Sequence, residues 1–170
     1  VAAPCCRDCC RHHCRRCWRR FTGTVAGTVA GIVAAAVTGV AAAAVAAPVA
    51  IAAPITHVWD CWNTPAHIMQ WNAASADWHT TASTVDLRPG GKFSSRMEAK
   101  DGSFGFDFEG EYTNIVTHEL IEYAFGDRTA EIRFAEANDG VKVTVEFAAE
   151  EENSPEDQKG GWQAILNNFK

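Results

Sequence analysis

The chain has 170 residues and a net charge of −6, an average that conceals two unlike parts. Residues 1–20 hold six Arg against one Asp, and no charged residue follows until Asp60, so the rest carries the whole acidic excess. An acidic body excludes nucleic acid as the main partner of a folded domain. Six of the seven Cys lie within the first 17 residues, leaving Cys61 alone in the body. Such a body has no disulfide framework, which fits a reducing compartment and a cytoplasmic location.

The expected division is a low-complexity extension over residues 1–42 and one domain over residues 43–170. In the extension, Cys6/Cys9 and Cys14/Cys17 are C-x-x-C pairs with His12 and His13 between them. Structural zinc sites of the ribbon type separate two such pairs by about 12 residues or more. Only four residues separate Cys9 from Cys14, too few for a loop with any core, so no metal is expected. Residues 21–56 carry no charge and include the tandem repeat GTVA-GTVA-GIVA. Gly23, Gly27 and Gly31 have the small-xxx-small spacing of paired membrane helices. Arg19-Arg20-Phe21 followed by Ala44-Val45-Ala46 is similar to a twin-arginine export signal with its cleavage site, although a residue between Arg-Arg and Phe is missing. The composition also matches spurious translation of GC-rich DNA. Three readings therefore stand: a non-native or disordered extension, a membrane anchor in residues 21–56, and export through residues 1–53. The chain begins with Val and ends without a stop signal for its last helix, as a fragment would.

Residues 43–52 are apolar and β-compatible, but Pro48 demotes them to an edge or broken strand. Pro54 opens a helix carrying Ile55, Val58, Trp59 and Trp62 at helical spacing, and Thr64-Pro65 starts a second with Ile68, Met69 and Trp71. A loop is expected over residues 72–81. From there the period is two. Val85 and Leu87 alternate with polar residues, and after the turn at Pro89-Gly90-Gly91 so do Phe93, Ser95 and Met97. Asp101-Gly102 is a hairpin signal. Phe104, Phe106, Phe108, Gly110 and Tyr112 share the next apolar face, opposite Asp107, Glu109 and Glu111. Ile121, Tyr123 and Phe125 follow, then Ile132 with Phe134, then Val141, Val143, Val145 and Phe147. Tight turns between these runs predict an antiparallel meander of about six strands with one apolar face. Ser154 and Asp157 form an S-x-x-D capping pair around Pro155. Behind them Trp162, Ile165, Leu166 and Phe169 make one stripe, the buried face of an amphipathic helix. A helix of this length is marginal alone and needs the sheet as its partner.

This order, strand, two short helices, meander and long helix, resembles the SRPBCC superfamily, the START and birch-pollen-allergen-like helix-grip fold. Within it the chain is similar to the branch named after the activator of the heat-shock-protein-90 ATPase. The resemblance rests on Ala53-Pro54-Ile55 with Val58-Trp59, and on Pro65 with His67-Ile68 and Trp71. It continues in Asp86-Leu87-Arg88-Pro89-Gly90-Gly91-Lys92-Phe93, Gly110-Glu111-Tyr112, Leu120-Ile121-Glu122-Tyr123 and Gly161-Trp162. It implies an α+β class, with a curved antiparallel sheet wrapped around the C-terminal helix. It also implies a deep cavity between sheet and helix for hydrophobic or amphipathic molecules, and the branch name suggests a chaperone as a further partner. A fold of this kind does not by itself fix a function.

The side chains expected to converge on the interior are Trp71, Trp78, Phe93, Met97, Phe106, Phe108, Tyr112, Tyr123, Phe125, Phe134, Trp162, Ile165 and Phe169. Each buried large side chain contributes on the order of 2 kcal/mol, so a filled core explains them as well as a cavity does. Gly110, Gly160 and Gly161 favour the cavity, because glycine inside an element often marks missing volume. Neither a catalytic residue nor a cofactor is expected. Asp107, Glu109 and Glu111 fall on the face away from the helix, the histidines have no metal-ligand spacing, and Cys61 has no base beside it in sequence. A cyclase- or hydrolase-type enzyme would have to use Asp77, His79 or Tyr123.

Overall fold

The structure, a computed structural model, describes residues 44–170. The C-x-x-C pairs and the glycine repeat lie outside the described residues, as does most of the anchor or export segment. Among the described residues no helix is long and apolar enough to cross a membrane.

Strand β1 (Ala44–Ile51) leads into helices α1 (Ile55–Asn63) and α2 (Pro65–Trp71). Six strands follow: β2 (Trp78–Val85), β3 (Lys92–Ala99), β4 (Gly105–Val116), β5 (Leu120–Phe125), β6 (Arg128–Ala137) and β7 (Gly140–Ala148). Helix α3 (Pro155–Phe169) ends the chain. All pairings are antiparallel, in the order β1-β7-β6-β5-β4-β3-β2, and the sheet curls into a half-barrel. The architecture is the α+β helix-grip arrangement expected from the sequence. Left-handed backbone at Gly102 (φ 70°) and Gly126 (φ 58°) makes two of the tight turns, as glycine allows without a Cβ clash.

β1 is an unbroken edge strand, with Val45 opposite Phe147 and Val49 opposite Val143. Pro48 fits there because its carbonyl accepts a hydrogen bond from Gln163 Nε2 (3.2 Å), so its nitrogen faces away from β7 as well. No ladder bond is lost. The expected loop over residues 72–81 is shorter than predicted, since β2 begins at Trp78. β2 is the other edge, and its sequence WHTTASTV turns hydroxyls rather than hydrocarbon toward the interior. Thr80 is buried and donates to the Asn72 carbonyl (2.6 Å). With a bulge between Thr80 and Ala82, no apolar alternation is left to read.

Helix α3 lies in the concavity. Ser154 Oγ accepts from the Asp157 N–H (3.1 Å) and donates to the Asp157 carboxylate (2.9 Å), so the capping pair forms as predicted. Trp162, Ile165 and Leu166 are buried against the sheet. Gln158 is the polar exception, with none of its surface exposed. Its Oε1 accepts from the Glu150 N–H (3.0 Å), and its Nε2 donates to the carbonyls of Glu150 (3.1 Å) and Asn153 (3.0 Å). It thereby stitches the loop after β7 to the first turns of α3. Gln158→Leu orphans three backbone groups at once and is expected to cost about 3 kcal/mol in urea denaturation. An unchanged midpoint would mean that water replaces the side chain there.

Gly160 of the helix does not mark the interior. A Cβ at Gly160 would meet nothing within 4 Å, because the residue faces open space. Gly160→Ala is therefore expected to raise thermal stability, by about 0.5–1 kcal/mol. Gly110 has the opposite role. A Cβ there would overlap the Ala124 carbonyl oxygen and stand 2.7 Å from Phe93 Cζ, so this glycine admits the Phe93 ring and leaves no empty volume.

Candidate functional site

A partly open cavity of about 60 Å³ lies between the concave face of β2–β5 and Trp162 of α3. It is smaller than the roughly 150 Å³ apolar cavity that accepts benzene, so the deep cavity implied by the resemblance is here a compact one. Trp62 from α1 and Trp71 from α2 roof it, with Ile68 and Asn72 beside them. Phe93, Phe108, Val85 and Ile121 supply apolar wall, and Ser83, Thr84, Ser95, Tyr112 and Tyr123 the hydroxyls.

The interior around it is filled by rings in contact. Phe108 meets Phe93 (centroids 5.7 Å), Phe125 (5.6 Å) and Trp162 (6.3 Å). At the mouth, Trp62, Trp71 and Phe169 lie 4.8–5.1 Å apart as a mutual cluster. The Trp71 indole donates to the Cys61 carbonyl (3.1 Å), which locks α2 to α1. Asn168 Nδ2 donates to the Ala73 carbonyl (2.6 Å), tying the end of α3 to the same corner.

Of the residues expected to line the cavity, Trp71, Phe93, Phe108, Tyr112, Tyr123 and Trp162 do so. The others are displaced for identifiable reasons. Trp78 and Phe106 (5.9 Å) form a separate aromatic group with Phe104 near the β3–β4 turn, where Met97 is the register partner of Phe106. Phe125 packs behind Phe108 and beneath the Arg128 guanidinium (4.7 Å). Phe134 stands edge-on to Trp59 and Trp62, behind the roof. Ile165 is buried core, and Phe169 covers the mouth from outside the lining. Sequence reasoning missed Trp62, Asn72 and the serine pair Ser83–Ser95, whose hydroxyls lie 3.2 Å apart. The available signal was Ser95, a small polar residue between Phe93 and Met97 on the inward face of β3.

Tyr112 and Tyr123 are register partners on β4 and β5, and both rings contact Phe93, Tyr112 tilted (5.2 Å) and Tyr123 edge-on (4.9 Å). Burial pushes the Tyr112 hydroxyl up to about 12 and the Tyr123 hydroxyl higher still. The neighbouring Tyr112 adds to the rise at Tyr123, and Arg128 partly opposes it. Both phenols therefore keep their protons at neutral pH and can serve as hydrogen-bond donors. Kept protonated, Tyr123 is not available as a general base at neutral pH. Asp77 is exposed, His79 is half-buried, and neither lines the cavity. Asp107, Glu109 and Glu111 are exposed on the convex face as expected, with Arg96 3.3 Å from Asp107. Cys61 does have a base nearby: His57, one helical turn earlier, places Nε2 3.7 Å from its Sγ on exposed helix surface. Helical i, i+4 spacing would have predicted that pair.

Residues 52–170 match the protein family described as Activator of Hsp90 ATPase homolog 1-like protein, AHSA1. The solution structure of an AHSA1-like protein from Aeromonas hydrophila is 43% identical to this chain, with a TM-score of 0.71. That match covers 75% of this chain and 89% of the Aeromonas protein. The solution structure of Chr148 from Cytophaga hutchinsonii is 47% identical at a TM-score of 0.66, covering 74% of this chain and 88% of that one. The crystal structure of CV1439 from Chromobacterium violaceum shares the fold at 22% identity and a TM-score of 0.67, covering 75% and 94%. No curated protein matches the chain.

Proposed function

The chain belongs to the AHSA1 family, whose fold commonly binds hydrophobic ligands, and from that premise we propose that it binds a small apolar or amphipathic molecule in the cavity beneath Trp162. The observation that carries the reading is an aromatic wall and two protonated tyrosines lining one partly open cavity. Apolar lining with a few placed polar groups is the usual composition of a small-molecule site. No covalent step is required of any residue. The ligand must be small, or must displace the Trp62–Trp71–Phe169 cluster, whose ring pairs are worth about 0.5–1.5 kcal/mol each.

Amide NMR titration of the protein with cyclic compounds of a single five-membered ring tests the reading. Shifts are expected at Phe93, Phe108, Tyr112, Tyr123 and Trp162. A ligand of so few heavy atoms gains at most about 1.5 kcal/mol from each, so affinities no tighter than roughly micromolar are expected. Val85→Phe places a ring in the cavity and should abolish the shifts. Spectra unchanged up to the solubility limit of every compound would overturn the reading.

A further inference from the structure

The cavity is polar in an uneven way. Some of its hydrogen-bonding groups already have partners: Ser83 pairs with Ser95 (3.2 Å), and the Trp71 indole with the Cys61 carbonyl (3.1 Å). Tyr112 and Tyr123 differ. Each is only 6% exposed, each lines the cavity, and among the described residues neither hydroxyl has a hydrogen-bond partner in the protein. Two such hydroxyls on neighbouring strands of one cavity wall are both free to donate to the same ligand atom.

We propose that the cavity selects a neutral molecule bearing a carbonyl oxygen, which accepts from both the Tyr112 and Tyr123 hydroxyls while its hydrocarbon part rests on Phe93, Phe108 and Trp162. This rests on the binding reading above and names the ligand class for the same site. Two features of the geometry support it. As register partners on adjacent strands, the two tyrosines project side by side, and one carbonyl oxygen has two lone pairs to receive them. None of the lining residues is charged, so an ionised ligand would be buried without a counter-ion, at a cost that neutral compounds avoid.

The test compares cyclopentanone with cyclopentane, a hydrocarbon of the same ring size, on the intact chain and on Tyr112→Phe, Tyr123→Phe and the double variant. Each single variant keeps its ring and should weaken ketone binding by roughly fivefold, the equivalent of one net hydrogen bond. Cyclopentane binding should stay equal or tighten. The infrared carbonyl stretch of ketone bound to the unaltered protein should lie below its value in hydrocarbon solvent, and should return toward it in the double variant. If both compounds bind but the ketone ignores the substitutions, or its stretch is unshifted, this inference falls and the binding reading stands. If neither compound binds, both fall together.

Discussion

Trp162→Ala is expected to lower the unfolding free energy by about 3–5 kcal/mol, the range for truncating a large buried aromatic. Trp162 is 8% exposed, and its ring lies on Phe147 (5.7 Å, 38°) and edge-on to Phe108 (6.3 Å, 74°). It is the largest side chain by which the 15 residues of α3 grip the sheet. A helix of that length has little stability of its own, so loss of the contact is felt as detachment of the element. The polar ties at Gln158, Gln163 and Asn168 orient α3 but bury little hydrocarbon. Chemical denaturation monitored by circular dichroism measures the effect, and Trp162→Phe should recover part of it because the Phe147 contact can re-form. A loss below about 1 kcal/mol for the alanine variant would mean that those polar ties, and not the aromatic stripe, hold the helix.

Alkaline conditions should remove stability in a narrow window. Tyr112 and Tyr123 both have folded-state values above the ordinary phenol value of 10.0. Below pH 10 the folded and unfolded chains hold both protons equally, and the stabilisation is fully present. Above it the unfolded chain releases protons first, so stability falls as pH rises from about 10 toward 12, and beyond that for Tyr123. At about 1.4 kcal/mol per pH unit, Tyr112 alone is worth on the order of 2–3 kcal/mol, and Tyr123 contributes in the same direction. Urea midpoints measured from pH 8 to 12 should drop steeply in the upper half, with tyrosinate absorbance rising as the protein unfolds. Tyr112→Phe and Tyr123→Phe should each flatten the curve. Equal midpoints at about pH 9 and 11.5 would show that the hydroxyls are solvated, and would remove the ground for a prepared donor pair.

Legibility in the sequence differed by element. β4 to β7 were readable because the solvent face and the core face alternate residue by residue, as at Val141, Val143, Val145 and Phe147. α3 was readable because its cap and its apolar stripe agree. β2 was not, since an edge strand turning Thr80 and Ser83 inward has no hydrophobic alternation to detect. For the same reason Ser83 and its partner Ser95 at the cavity escaped notice while the aromatic side did not. The seven other residues expected at the cavity share the inward periodicity of the six that line it. Period two gives the face of a strand, and position along the strand decides which neighbours a side chain meets. Phe106 and Phe108 point the same way two residues apart, yet one joins Trp78 and the other Trp162.

The amino-acid sequence by itself therefore determined the elements, the sheet's two faces and the membership of a helix-grip family, because these follow from local propensity and from burial of one face. Only the tertiary structure decided how much of the interior is empty. That volume is a small difference between the curvature of seven strands and the summed bulk of rings contributed by distant segments, and no local pattern encodes it. Gly160 and Gly110 looked alike as glycines and proved unlike in place, one facing open space and the other making room for Phe93. The pairing of Tyr112 with Tyr123 is likewise a product of register between β4 and β5, with a bulge between Tyr112 and Asn114. Two phenols expected among the interior residues became, through that register, adjacent donors on one small cavity.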